Sequence, residues 1–170
     1  CVGSGRRHPL VDEANRGVMH SFEAAFAAIV TCARRQGVSV VLENHPQGLL
    51  ATAEAIGTFL ARDSFKDVAV IYDVANAVAA GEEPLTGFEM LRERIAILHV
   101  SDTPRTQWRH DPIGTGDIDF AAIGQAMERH RFDRPVVLEI LCADARAGLM
   151  EGIGRIEDMG WAFEDIKKKK

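Results

Sequence analysis

Four apolar, mostly β-branched runs each end on an ionisable side chain. They are Val38-Ser39-Val40-Val41-Leu42-Glu43, Val68-Ala69-Val70-Ile71-Tyr72-Asp73, Ile95-Ala96-Ile97-Leu98-His99 and Val136-Val137-Leu138-Glu139. Near-continuous Val, Ile and Leu, in place of strict alternation, predicts parallel strands buried on both faces. A carboxylate closing such a strand is costly to bury without a partner. Four of these positions at one end of a sheet are explained together if a divalent cation holds them.

Between the runs the hydrophobic period changes to that of helices. Val18 to Gln36 carries Phe22, Ala25, Phe26, Ile29, Val30 and Ala33 on one face, with Gly37 as a C-terminal stop. Helices are also expected over Leu49–Ala61, Phe88–Arg94, Phe120–His130, capped by Asp117 or Asp119, and Ala145–Met159. Alternating strands and helices predict βα units with right-handed crossovers around a parallel sheet. Such units build either an open doubly wound sheet or a closed barrel. A barrel of eight needs ~250 residues, ~200 when compact. With 170 residues and four clear strands, the chain reads as one domain, residues 1–170, forming the C-terminal part (about half) of a (β/α)8 TIM barrel. That is approximately its last four βα units, with a fifth strand tail near Cys1-Val2-Gly3 and a C-terminal tail over 162–170. Either the front half of the barrel is absent from this stretch of sequence, or another polypeptide or a homo-oligomer supplies the missing strands, since an open parallel edge invites aggregation.

The composition, 26% charged and 46% hydrophobic, is that of a globular domain with a substantial core. A net charge of −5 argues against a nucleic-acid partner. No apolar stretch reaches the ~20 residues of a membrane span, and no signal-peptide pattern is present. Cys1, Cys32 and Cys142 lack paired spacing, which predicts free thiols and a cytoplasmic setting. Lys167 to Lys170 reads as a solvated end.

Glu43, Asp73, His99 and Glu139 offer three carboxylates and one imidazole. This hard, oxygen-rich set favours Mn²⁺, with Mg²⁺ or Co²⁺ as alternatives, over a zinc site rich in Cys and His. Separations of 30, 26 and 40 residues match successive βα units, so the fold and not local spacing must assemble the ligands.

In this order, Leu42-Glu43-Asn44-His45, Tyr72-Asp73-Val74-Ala75-Asn76-Ala77, Leu98-His99-Val100-Ser101-Asp102, Gly114-Thr115-Gly116-Asp117-Ile118-Asp119-Phe120 and Val137-Leu138-Glu139 resemble the xylose-isomerase-like barrel superfamily, from about Gly3 to Trp161. The similarity points to its sugar phosphate isomerase/epimerase branch, which includes ketose 3-epimerases, hydroxypyruvate isomerases and inosose dehydratases. The resemblance implies a (β/α)8 fold and one metal held by Glu43, Asp73, His99 and Glu139. It also implies proton abstraction α to a carbonyl through a metal-stabilised enediolate, with Glu43 and Glu139 as the acid/base pair. The implied substrate is a small carbohydrate or sugar phosphate. Arg105, six residues past His99, stands where the ketose epimerases place a substrate-contacting arginine. His45, Asn76, Trp108 and His110 are the further substrate-binding candidates, the last two in a long polar loop suited to a lid. Two positions depart from the pattern: Asn76 replaces a histidine found in several relatives, and Leu49 replaces the assisting glutamate of the ketose 3-epimerases.

Other readings are a dehydratase of the inosose type and a barrel fragment that binds sugars or a partner without turnover, since half a barrel cannot enclose a substrate. The superfamily's abasic-site endonuclease uses three zinc ions and needs histidines this chain lacks. Gly3-Ser4-Gly5-Arg6-Arg7-His8 has no third glycine of a nucleotide loop and reads as a strand-to-helix connection. Gly114-x-Gly116 reads as a turn, since Asp117 and Asp119 would repel phosphate. No Gly-x-Ser-x-Gly motif of a serine hydrolase occurs.

Overall fold

A computed structural model describes residues 2–4, 6 and 12–162 of the chain. Cys1, Gly5, Arg7, His8 and Lys167 to Lys170, named above, lie outside the described residues. The four runs form strands β1 (Val41–Glu43), β2 (Ala69–Asp73), β3 (Ile95–Val100) and β4 (Val136–Leu138). All neighbours are parallel, in the order β1-β2-β3-β4. Val2 bridges Leu42 in parallel on the free side of β1. The described strands thus form a four-stranded parallel sheet, the arrangement expected of part of a (β/α)8 barrel wall.

Among the described residues six α-helices connect and flank these strands: α1 (Asp12–Arg35), α2 (Ala53–Leu60), α3 (Val74–Ala79), α4 (Pro84–Leu91), α5 (Phe120–Arg129) and α6 (Ala145–Asp158), with α3 and α4 both between β2 and β3. Side-chain caps start four of them: Thr52 for α2, Asp73 for α3, Asp119 for α5 and Asp144 for α6. Gly37 and Gly160, both at positive φ, follow α1 and α6. The helices differ from expectation at several places, and for α4 and α3 the cause is local. α1 starts at Asp12, six residues before Val18. α4 starts earlier than Phe88 because Pro84 sits in its first turn, where a missing N–H costs nothing. α3 directly follows β2, because the Asp73 side chain caps it.

The hydrophobic core lies between the sheet and the helices. Leu42, Val70, Tyr72, Leu98 and Val100 face it from the strands, and Phe26, Ile56, Phe59, Phe88, Phe120 and Ile123 from the helices. Phe26, Phe59 and Phe65 pack ring on ring at centroid distances of 4.9 to 5.6 Å. Phe22 stacks on Phe26, which narrows the buried face of α1 and leaves Ala25 and Ile29 exposed.

Only β2 is buried on both faces, with Ile71 and Asp73 buried as well as Val70 and Tyr72; for β1, β3 and β4 the expectation from composition is corrected. Val41, Ile97 and Val137 share the opposite face with Glu43, His99 and Glu139; Val41 and Ile97 are half-buried and Val137 is 42% exposed. Val136 and Leu138 of β4 are also only partly buried. This second face is the one a closed barrel turns inward.

Candidate metal centre

Each cluster residue arrives from a different strand. Glu43 is the last residue of β1, Asp73 the last of β2, His99 the penultimate of β3, and Glu139 follows β4 directly. Glu43 registers with Ile71 and not with Asp73, so the stagger between neighbouring strands, with side chains alternating across the sheet, brings the heads together on one face. One ligand atom from each of the four lies within 4.8 Å of the others. His99 Nδ1 is 2.8 Å from Glu139 Oε2, 3.4 Å from Glu43 Oε1 and 3.9 Å from Asp73 Oδ2.

Two of these atoms carry the diagnostic feature. Asp73 Oδ2 and His99 Nδ1 are buried and have no hydrogen-bond partner. Glu139 is close to Nδ1 but off the axis a ring N–H would need, so proximity does not satisfy the nitrogen. Buried polar atoms are nearly always paired, and two orphans facing each other mark a site shaped for something else. A cation fits both: an oxygen and a ring nitrogen, each with a lone pair to give.

The electrostatics agree. Burial pushes the Asp73 carboxyl up to about 7, against the downward pull of the Asn76 backbone hydrogen bond, and the nearby Glu139 charge adds to the rise. For His99 burial acts to lower the pKa, but the carboxylates of Glu43, Glu139 and Asp73 outweigh it and raise the value. Both groups are thus biased toward their protonated forms, against which a divalent cation would compete.

Asp73 is fixed with care. Its Oδ1 accepts from Asn76 N at 2.7 Å, capping α3 and leaving Oδ2 aimed at the cluster. Asn44, fully buried, holds its backbone from both sides: Oδ1 accepts from Asp73 N at 2.7 Å and Nδ2 donates to Asp73 O at 2.9 Å.

The substrate candidates divide. His45, Asn76, Trp108 and His110 collect beside the cluster. His45 and Glu43 line a cleft of about 250 Å³ with Gly3, Ser4, Arg6 and Gln47. His110 Nδ1 is 2.9 Å from Ser101 Oγ and 3.9 Å from Asp73 Oδ2. The Trp108 ring meets His45 edge-on at 5.1 Å and His110 at 6.1 Å. Arg105 does not join them: it is exposed, and its guanidinium pairs with Glu83 at 2.7 Å.

The loop carrying Trp108 and His110 is pinned at its base by a residue given no role in the sequence reading. Asp102 is 1% exposed and accepts from the backbone N–H groups of Thr103, Gly114, Gly116 and Ile118, at 2.8 to 3.3 Å. Gly114 takes φ 80°, and a Cβ at Gly116 would strike Asp102 and Thr103, so both glycines are required by this wrap. Asn44 and Ser101 were also missed. Both sit beside cluster residues in the sequence, but nothing in their type announces a positioning task.

Comparison with known proteins places this geometry in context. The profile of the xylose isomerase-like TIM barrel family matches residues 2–159. An inosose dehydratase of Lacticaseibacillus casei is 27% identical over 137 residues, 70% of this chain and 46% of that protein. The crystal structure of a D-tagatose 3-epimerase-like protein superposes with a TM-score of 0.75 at 22% identity, covering 92% of this chain and 62% of the other. The IOLI protein, crystallised with a zinc atom, gives a TM-score of 0.69 at 20% identity, over 91% and 59% of the two chains. The chain spans less than half the length of the dehydratase and about 60% of the two solved structures.

Proposed function

Because the chain belongs to the xylose isomerase-like TIM barrel family, we propose that its cluster is the metal centre of an enzyme removing the proton α to a carbonyl of a small carbohydrate or sugar phosphate. The observation that carries this reading is the pair of buried, unpartnered atoms, Asp73 Oδ2 and His99 Nδ1, inside a four-residue ligand set. Glu43, Asp73, His99 and Glu139 would hold the ion. Mn²⁺ suits three carboxylates and one imidazole, with Mg²⁺ or Co²⁺ as alternatives; Zn²⁺, present in one relative, is the comparison to make. When bound, a divalent cation supplies Lewis-acid polarisation of the substrate carbonyl.

The remaining chemistry belongs to the protein. Glu43 and Glu139 come from the two outer strands of the sheet and flank the cluster from opposite sides. Glu139, with its side chain 45% exposed, is open to a substrate and takes the α proton. Glu43 delivers a proton from the other side. Returning it to the same carbon inverted gives epimerisation, and to the neighbouring carbon gives aldose–ketose isomerisation. His110, steadied by Ser101, and His45 stand where substrate hydroxyls would lie.

A second reading, dehydration, is favoured by the match to the inosose dehydratase. It begins with the same abstraction, after which the hydroxyl β to the carbonyl takes a proton from the acid/base pair and leaves as water, its C–O bond electrons remaining on the oxygen as the C=C bond forms.

The test is deuterium wash-in. With Mn²⁺ in D₂O, D-tagatose or inosose is expected to acquire deuterium at the α carbon, and loss of water in place of an epimer would identify the dehydratase. Glu139→Gln is expected to reduce exchange at least ~100-fold, the lower range for a general base, while leaving the circular dichroism unchanged. Near-normal exchange by that variant refutes the role given to Glu139.

A further inference from the structure

Asn76 stands beside the cluster, yet its amide is already committed at both ends. Nδ2 donates to Asn44 O at 2.9 Å, and Oδ1 accepts from Trp108 Nε1 at 3.0 Å. The side chain is 4% exposed, so water does not compete for either bond. Asn44 in turn holds both backbone groups of Asp73. An unbroken set of hydrogen bonds therefore runs from the cluster strand to the indole of the β3–α5 loop. Trp108 itself is 39% exposed and is bracketed by His45 and His110.

We propose that Asn76 is a positioning residue that tethers Trp108 to the Asn44–Asp73 junction and fixes the indole as an apolar wall of the site. The inference deepens the reading above, since it concerns the wall of the same site. It reassigns Asn76 from contacting substrate to holding the residue that does. The neutral amide offers a donor to Asn44 O and an acceptor to the indole at once. With its N–H taken, the indole has no polar group left to offer a ligand. The sugar face that meets it is a C–H face, and hydroxyl recognition falls to the histidines on either side.

The full chain has two tryptophans, so a ¹⁵N-labelled sample shows two indole signals, which Trp108→Phe assigns. Trp161 is an internal control, because its indole donates to Phe120 O at 2.9 Å in the core. In the wild type the Trp108 indole N–H is expected to exchange with water at least about ten-fold more slowly than a free indole. Asn76→Leu is expected to abolish that protection while the Trp161 signal stays in place. A wild-type Trp108 indole exchanging like a free one overturns the proposal, as does protection that survives in Asn76→Leu with Trp161 undisturbed. If Asn76→Leu unfolds, seen as loss of the Trp161 signal, the wild-type rate decides alone. Addition of Mn²⁺ keeps the two readings separate: failure to broaden signals around the cluster refutes the metal centre and leaves the tether standing.

Discussion

The two oxygens of Asp73 have different fates: one caps α3, and the other is buried without a partner. On the proposed reading, the second oxygen is the one a cation would take. Burial raises its pKa from the usual carboxylate range to about 7, and His99 is also raised. A raised folded-state pKa means that the folded protein holds the proton more tightly than the unfolded chain. Its stabilising contribution is complete below the unfolded value of about 4 and is lost as pH climbs through about 7. The metal-free wild type should therefore lose Tm between pH 4 and pH 7 relative to Asp73→Asn, which keeps a cap for α3 and has no proton to lose. Parallel Tm curves for the two proteins across that range would show that Asp73 is not held protonated. Saturating Mn²⁺ should remove the wild-type loss at neutral pH. At this scale the sequence was informative where chemistry is carried by residue type: a carboxylate or imidazole ending an apolar run is conspicuous. Asn44 was not, because its task lies in its hydrogen bonds to another strand, which a linear reading does not pair.

Elements were legible to the extent that their determinants are local. The βα alternation and the cap Asp119 follow from periodicity and cap chemistry. α3 escaped because its six residues are too few to show a period, and its first turn overlaps the Asp73 motif. The β3–α5 loop shows the limit most clearly. Read as a long polar stretch, it is held by a buried carboxylate binding four backbone N–H groups, with Asp102 and Asp111 exchanging backbone bonds beside it. Removing Asp102 leaves those donors unpaired, at a cost of roughly 1–3 kcal/mol for each one water cannot reach. Asp102→Ala is thus expected to lose at least about 2 kcal/mol in urea titration. It should also open the loop to trypsin at Arg105 or Arg109, while cleavage within α1 stays slow. An unchanged midpoint with a resistant loop would mean that other contacts hold the segment.

At the scale of the molecule, the sheet has one face packed by helices and one that carries the cluster. The composition of the strands implied burial on both sides, and the described structure supplies it on both only for β2; Val137, on the second face of β4, remains 42% exposed. The sequence could not report this, because a strand made for a barrel interior reads the same whether or not the opposite wall is present. The chain covers about 60% of the barrels it superposes on. It nevertheless carries all four members of the ligand set at the C-terminal ends of its strands, the end at which barrels of this class place their chemistry. The proposed metal centre can thus be tested apart from turnover. Calorimetric titration of the full chain with Mn²⁺ at pH 7.5 addresses it directly. The account predicts one saturable site per chain and a loss of affinity of at least ~100-fold in Asp73→Asn, beyond what loss of an outer partner causes. An absence of saturable binding, or equal affinity in wild type and Asp73→Asn, would contradict it.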